Sequence, residues 1–279
     1  MLLAASYYFY MCWKVDYIVL ILISTVVDYV VALKMSGTNK QSTKKILLYI
    51  SLFVNLSILF GFKYFNFLSK STNVFLQYLN SQFNSINIFY EAPLFDVLLP
   101  VGISFYTFQT LAYTIDVYRG KMDPEKDFTK FALYVSFFPQ LVAGPIERAQ
   151  RLLPQFNIKH KFNYERVTDG LKLMFWGFFK KLVIADKLNE FVNPIYASPD
   201  EYSGLALLLA TVLFTFQIYC DFSGYSDIAI GSAQVMGYDL MTNFKRPFFA
   251  KSIAEHWKRW HISLSTWFKD YLYIPLGGS

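Results

Sequence analysis

Seven apolar stretches run along the chain, over residues 2–13, 17–33, 46–68, 94–117, 131–143, 171–184 and 205–219, with polar intervals between them. A helix that spans a hydrocarbon core about 30 Å thick needs roughly 20 mainly apolar residues. Three of the stretches are clean spans. The first is cut short, and 131–143 and 171–184 are short enough to be re-entrant or interfacial. Broken backbone at membrane depth survives only where protein or a water-filled cavity covers it, so several such pieces predict a cavity. The expected fold class is therefore all-α, a polytopic transmembrane helical protein with re-entrant or interfacial helices.

Composition agrees with that pattern. Charged residues are 16% of the 279, against about 25% in soluble domains. The 29 Phe and 21 Tyr are too many for a soluble core, and interfacial aromatic belts give them a place. The net charge of +6 lies in short clusters between apolar runs: Lys34, Lys40, Lys44 and Lys45, then Arg148, Arg151, Lys159, His160, Lys161 and Arg166. No single basic face emerges, so the clusters read as positive-inside loops and no nucleic-acid partner is expected. Residues 34–45 and 119–130 are then cytoplasmic and 69–93 faces outward. Cys12 and Cys220 lie in apolar stretches without ligand spacing, as core thiols do, and no metal site is expected. The N-terminus has neither the basic region nor the cleavage site of a signal peptide. No repeat or long linker divides residues 1–279, so a single membrane-embedded unit is expected.

Three polar constellations interrupt the apolar pattern. Gln217-Ile218-Tyr219-Cys220-Asp221-Phe222-Ser223-Gly224-Tyr225-Ser226-Asp227 puts two carboxylates at the end of an apolar helix. At mid-bilayer each costs about 2.5–3.5 kcal/mol, so partners, a cavity or an interfacial place is required. Gly224 allows a helix break there, with Asp221 or Ser223 capping a new helix near Tyr225; a cap and a cavity wall are compatible. The run Phe137-Phe138-Pro139-Gln140-Leu141-Val142-Ala143-Gly144-Pro145-Ile146-Glu147-Arg148 reads either as a plain helix end or as a re-entrant turn. The third stretch, Glu255–Trp267, holds two of the three histidines and three of the five tryptophans. On one helix Trp257, Trp260, His261, Leu264, Trp267, Phe268 and Tyr271 form a continuous face, which aims His261 at packed protein and His256 elsewhere. A neutral imidazole with pKa near 6.5 can act as base, acid or donor, yet it can also be an ordinary core histidine. Residues alone lead to a membrane protein with a polar, histidine-containing cavity, a description that fits a transporter as well as an enzyme.

The motifs in their order resemble the membrane-bound O-acyltransferase (MBOAT) family, in the bacterial branch similar to alginate O-acetyltransferase and teichoic-acid D-alanyltransferase. The matching residues begin with Leu99-Pro100-Val101-Gly102-Ile103-Ser104-Phe105-Tyr106-Thr107-Phe108-Gln109 and Ile115-Asp116-Val117-Tyr118-Arg119-Gly120. They continue through Tyr134–Ile146, Phe179-Lys180-Lys181-Leu182-Val183-Ile184-Ala185-Asp186, the Asp221–Asp227 stretch and Arg246-Pro247-Phe248. Trp260–Trp267 and Asp270-Tyr271-Leu272-Tyr273-Ile274-Pro275-Leu276-Gly277-Gly278 complete the set, which covers nearly the whole chain.

That resemblance implies tilted membrane helices around a funnel, in a multi-pass protein of the bacterial inner membrane. It implies transfer of an acyl group, acetyl by default, from a cytoplasmic thioester to a hydroxyl of an extracytoplasmic glycan or cell-wall polymer. Acyl-CoA or an acyl-carrier thioester serves as co-substrate, with no bound cofactor, and accessory periplasmic or extracellular acetylation proteins are expected partners. His261 matches the histidine of the Trp-His-hydrophobic-Ser-Leu-Ser motif and is the one catalytic residue carried over, to position or polarise a reactant. The family's general base lies in a later Leu-Trp-His-Gly-type motif, which does not occur before Ser279. The chain is accordingly expected to be incomplete at its C-terminus, and at its N-terminus, and inactive as a piece. His256 stands where the family has an aromatic residue, and no role is assigned to it. The alternatives are a transporter or flippase using the same polar funnel, or a non-catalytic truncated remnant.

Overall fold

The computed structural model describes residues 1–82, 92–95 and 99–278. It is helical, with no strand among the described residues. The helices are α1 (Leu2–Met11), α2 (Ile18–Ser36), α3 (Gln41–Leu59), α4 (Phe65–Gln82), α5 (Ile103–Tyr118), α6 (Phe128–Ser136), α7 (Phe138–Leu141), α8 (Ala149–Leu152), α9 (Tyr164–Phe178), α10 (Asp186–Ala197), α11 (Gly204–Met236), α12 (Ile253–Arg259) and α13 (Ile262–Phe268). Among the described residues, three rods are long and apolar enough to cross a membrane: Val15–Ser36, Gln41–Gln82 and Gly204–Met236. This is an all-α membrane protein.

The chain forms two compact units, residues 8–126 and residues 1–7 with 127–279. In the first, α2, α3 and α5 pack on one another around polar side chains that are wholly buried. Asp28 of α2 accepts hydrogen bonds from the Ser51 hydroxyl and from Asn55 Nδ2, at 2.9 Å to Oδ2. Ser24 donates to Asn55 Oδ1 at 2.5 Å, and Thr110 of α5 reaches the same oxygen at 3.4 Å. Polar groups on apolar helices must find partners inside the protein, so this cluster joins the three helices.

Two expected boundaries change here. The helix over 46–68 runs on to Gln82 through a π-helical turn at Phe60–Tyr64, so helix occupies the first part of the 69–93 loop; residues 83–91 lie outside the described ones. Among the described residues of the expected span over 94–117, helix begins at Ile103. Residues 92 and 95 are held along α4 instead. Asn73 pairs through its amide with both backbone groups of Ala92, at 2.7 and 3.1 Å, and Asn66 does the same with Phe95, at 2.6 and 2.9 Å. Pro93 and Pro100 lack the N–H that helix needs, and Gly102, at φ 74°, turns the chain into α5.

In the second unit α9 lies antiparallel along α11. Gly170 faces Gly231 and Gly177 faces Gly224, two pairs each seven residues apart. A Cβ on Gly177 would stand 2.7 Å from the Gly224 carbonyl oxygen, and one on Gly231 would stand 2.5 Å from that of Gly170. The helices touch backbone to backbone, as small residues allow. Gly224 thus has a different part from the expected one. α11 runs unbroken through Asp221–Asp227 for 33 residues, and the helix break and cap expected there do not form. The short segment 171–184 likewise belongs to a continuous rod from α9 through a π-helical Phe179–Ala185 into α10. The break over 137–148 does form: α6 ends at Ser136, and α7 is a single turn with proline in its first positions.

Replacing Gly177 or Gly224 by Leu should destabilise the protein by more than the 1–3 kcal/mol typical of overpacking, because the obstacle is backbone. Gly61→Ala, where a Cβ meets nothing within 4 Å, is the matched control. Thermal unfolding in detergent checks this; equal melting temperatures for the Gly177→Leu and Gly61→Ala proteins would contradict the close approach.

Candidate active site

The helix expected through residues 257–271 is broken where it matters most. α12 opens on a Ser252 N-cap: Ser252 Oγ accepts from Glu255 N at 3.1 Å, and Glu255 Oε2 reaches back past the cap to accept from Lys251 N at 2.7 Å. It ends at Arg259. Trp260 is extended (φ −102°, ψ 127°) and His261 is left-handed (φ 43°, ψ 54°) before α13 begins. The single aromatic face therefore does not exist, and Trp257 is 57% exposed. A left-handed backbone costs a non-glycine residue roughly 1–2 kcal/mol, so surrounding contacts must hold it.

His261 is buried. Its ring meets Phe222 of α11 edge-on, with centroids 4.6 Å apart, and lies nearly parallel to Phe244 at 6.3 Å. Trp260 packs edge-on against Phe244 and tilts toward Tyr219 of α11. Loss of hydration disfavours the imidazolium, and burial pushes the His261 pKa down to about 4. The imidazole is neutral at physiological pH. His256 sits apart, stacked on the opposite aromatic neighbour: its ring lies 5.7 Å from Trp260 at 18°, and Nδ1 donates to the Pro247 carbonyl at 3.2 Å.

The two flanking constellations both contribute charges. In the π-helical turn after α9, Lys180 donates to the Ser223 hydroxyl and pairs with Asp227 Oδ2 at 2.6 Å. Lys181 pairs with Asp221 and Asp186, each at 2.6 Å. A π-helical turn carries an extra residue and here two successive lysines both reach acids on α11. The carboxylates that read as isolated in the sequence are thus neutralised by lysines from the preceding rod. In the other constellation, Glu147 is wholly buried, and its Oε1 accepts from Met241 N. Burial pushes its pKa up to about 7. Tyr134 donates to the Glu147 carbonyl at 3.1 Å, and Gln140 Nε2 donates to the Tyr134 carbonyl, also at 3.1 Å. This irregular segment fixes the start of residues 241–247, which return the chain to His261.

A cavity of about 780 Å³ opens in the same unit, lined by Leu2, Tyr7, Lys130, Leu133, Phe156 and Tyr238. None of these residues surrounds His261. Among the described residues, no group of three or more His, Cys, Asp or Glu is placed to hold a metal ion.

The model of the membrane-bound O-acyltransferase family, MBOAT, matches residues 126–279. The "Probable alginate O-acetylase AlgI" of Pseudomonas syringae pv. tomato is 42% identical over 281 residues, covering all of this chain and 52% of its own length. This chain belongs to the membrane-bound O-acyltransferase family. A peptidoglycan O-acetyltransferase of Helicobacter pylori is 36% identical over 304 residues, covering all of this chain and 55% of itself. A teichoic acid D-alanyltransferase of Bacillus subtilis is 29% identical over 178 residues, covering 62% of this chain and 45% of itself. The chain spans about half the length of the curated relatives it matches. The family match contains His261, Glu147, Lys180 and Lys181.

Sequence reasoning singled out His261 as a candidate but placed Asp221 and Asp227 without their partners. Lys180 and Lys181, consecutive cations inside an apolar run, were the available signal. Asn243, an isolated amide in a loop, offered none.

Two outcomes follow from these charges. Lys180 is 6% exposed, and removing one member of a buried pair typically costs 3–5 kcal/mol. Asp227→Ala should therefore lower the melting temperature sharply, and the double change Lys180→Met with Asp227→Leu should recover most of the loss. For His261 the folded pKa lies below the unfolded value of 6.5, so the unfolded chain takes up the proton first. Stability contributed by this residue is intact above about 6.5 and is lost as pH falls toward 4. The difference in melting temperature between wild type and His261→Asn, followed from pH 7.5 to 4.5, should shift against the wild type; a constant difference would contradict a depressed pKa.

Proposed function

We propose that this chain supplies the His261 side of an acyl-transfer site, in a protein that moves an acyl group from a cytoplasmic thioester to a hydroxyl of an extracytoplasmic glycan or cell-wall polymer. The observation that carries the reading is His261: buried and neutral, with aromatic walls, and inside the Trp-His-hydrophobic-Ser-Leu-Ser motif of an O-acyltransferase. The relatives support the substrate class, since all three described above are named for transfer of acetyl or D-alanyl groups, to alginate, peptidoglycan or teichoic acid. An acetyl group on coenzyme A or on an acyl carrier is the donor this reading favours. The whole of residues 1–279 serves as membrane-embedded scaffold, in the inner membrane of a bacterium, with extracytoplasmic proteins receiving or guiding the acceptor.

The chemistry assigned to His261 follows from its protonation. A neutral imidazole has one N–H donor and one acceptor nitrogen. As donor it polarises the thioester carbonyl, and the tetrahedral oxyanion that forms when the acceptor hydroxyl attacks gains more from that bond than the ground-state carbonyl does. An imidazolium with a pKa near 4 would be almost absent at pH 7, so this donor acts by hydrogen bonding and not as a full charge. The hydroxyl proton leaves to a separate base, and collapse of the oxyanion breaks the C–S bond and releases the donor as a thiolate, which takes up that proton. Phe222 and Phe244 keep water from the carbonyl, which strengthens the interaction in a low-dielectric site.

In the full-length protein, His261→Ala should lower transfer of a labelled acyl group to polymer by roughly 10²–10³-fold, the usual loss when one oxyanion donor is removed. His256→Gln should leave the rate near that of the wild type. Transfer at the normal rate by well-expressed His261→Ala protein would remove His261 from the reaction. Acyl label that crosses the membrane without becoming covalently attached would instead show transport.

A further inference from the structure

We propose that Asn243 is the positioning residue of this site, holding His261 in its left-handed backbone so that the imidazole faces Phe222 and Phe244. The inference rests on the assignment of His261 to acyl transfer, and it adds the residue through which that histidine is aimed.

His261 occupies the N-cap position of α13, and its side chain makes no capping hydrogen bond. The first N–H groups of a helix have no partner within it and need one from outside. Ordinarily the N-cap side chain supplies that partner. Here Asn243 does so from another segment. Its backbone carbonyl accepts from Ile262 N at 2.9 Å, and its Oδ1 accepts from Ser263 N at 3.3 Å and from Ser263 Oγ at 3.0 Å. The amide nitrogen points the other way and donates to Ser226 Oγ of α11 at 3.1 Å. Asn243, Ser226 and Ser263 are all buried. Two residues on, Lys245 N donates to the Arg259 carbonyl at 2.9 Å. The segment 243–245 therefore grips the chain on both sides of His261.

The consequence is a division of labour. Because Asn243 caps α13, the imidazole is released from that task and turns toward the aromatic pocket. The same amide is anchored to α11 one turn beyond Phe222, the ring that meets His261 edge-on. Asn243 thus acts on both: its carbonyl and Oδ1 hold the backbone that follows the histidine, and its Nδ2 ties that segment to the helix whose ring the imidazole faces. An aspartate at 243 would keep the side-chain acceptor and lose the donor; an alanine would lose both and keep only the backbone bond from Ile262 N.

The test uses the full-length protein in detergent, with His261→Ala, Asn243→Ala, Asn243→Asp and Ser226→Ala variants and the Asn243→Ala/His261→Ala double variant. Misplacement of a reacting group by about 1 Å can cost 10²-fold. Asn243→Ala is expected to lower kcat by roughly 10–100-fold with little change in KM for the acyl donor, and Asn243→Asp and Ser226→Ala less. The double variant should be no slower than His261→Ala alone. The readout independent of turnover is the NMR signal of the His261 ring, identified by its loss in His261→Ala; it should move in Asn243→Ala and stay near its wild-type place in Asn243→Asp. An unmoved ring signal with unchanged kcat per folded molecule overturns the proposal, whatever happens to the melting temperature. Should Asn243→Ala not fold, the ring signal and kcat of Ser226→Ala decide in the same way. If His261→Ala transfers acyl groups normally, the assignment of His261 falls, whereas the ring signal still reports separately whether Asn243 positions it.

Discussion

Backbone contact between α9 and α11 is the constraint on which the unit formed by residues 1–7 and 127–279 rests. Two glycines on each helix, seven residues apart, are two helical turns or about 10.5 Å apart along the axis, and they meet their counterparts in antiparallel order. No side chain stands between the rods at those points. Lys180 and Lys181 begin three and four residues after Gly177, so their ammonium groups reach α11 at Ser223, Asp227 and Asp221. A wider separation would strand the acids. Charges within a membrane helix are tolerated when they pair with one another, and here that pairing depends on glycine at four positions.

α11 then has two occupied sides. One carries the glycines and the acids that face α9; another presents Phe222 and Ser226 to the segment that holds His261. Fixing α11 against α9 therefore fixes the wall of the histidine pocket. Glu147 works from the other direction, by binding the Met241 N–H at the start of the segment that contains Asn243. A raised carboxyl pKa suits a group whose burial outweighs the backbone hydrogen bonds from Met241 and Arg148.

Much of the fold was legible because lipid imposes a simple rule: apolar runs become helices, since no other single-chain segment satisfies its own backbone there. That rule located α1, α2, α3 and α11. It failed at boundaries governed by specific side chains. Residues 92 and 95, inside or beside the span expected from 94, are instead bound by Asn73 and Asn66, and nothing in the local pattern of residues 92–95 reveals partners 19 and 29 positions away. At Gly224 local reasoning chose the conformational freedom of glycine over its small size, and the fold uses the size. The histidine was legible as a candidate because it stood in a recognisable motif, while its surroundings were not: the helical period places His261 beside Trp257 and Leu264 only if the helix is continuous.

That break has chemical meaning. In a continuous helix through Trp260 and His261 the backbone N–H groups of residues 262 and 263 would bond within the helix, and the imidazole would project along a packed face. With the helix interrupted, those two N–H groups turn to Asn243 and the imidazole leaves the helical direction to lie between two phenyl rings. Such left-handed non-glycine residues persist only when neighbours over-determine them. Here the neighbours are a buried amide, a buried serine on each side of it, and a backbone bridge from Lys245 to Arg259. A histidine needed only for packing would not require this arrangement, because a core side chain is placed as well by an unbroken helix. The conformational cost is explained when the direction of the imidazole, and not merely its burial, is what the fold maintains.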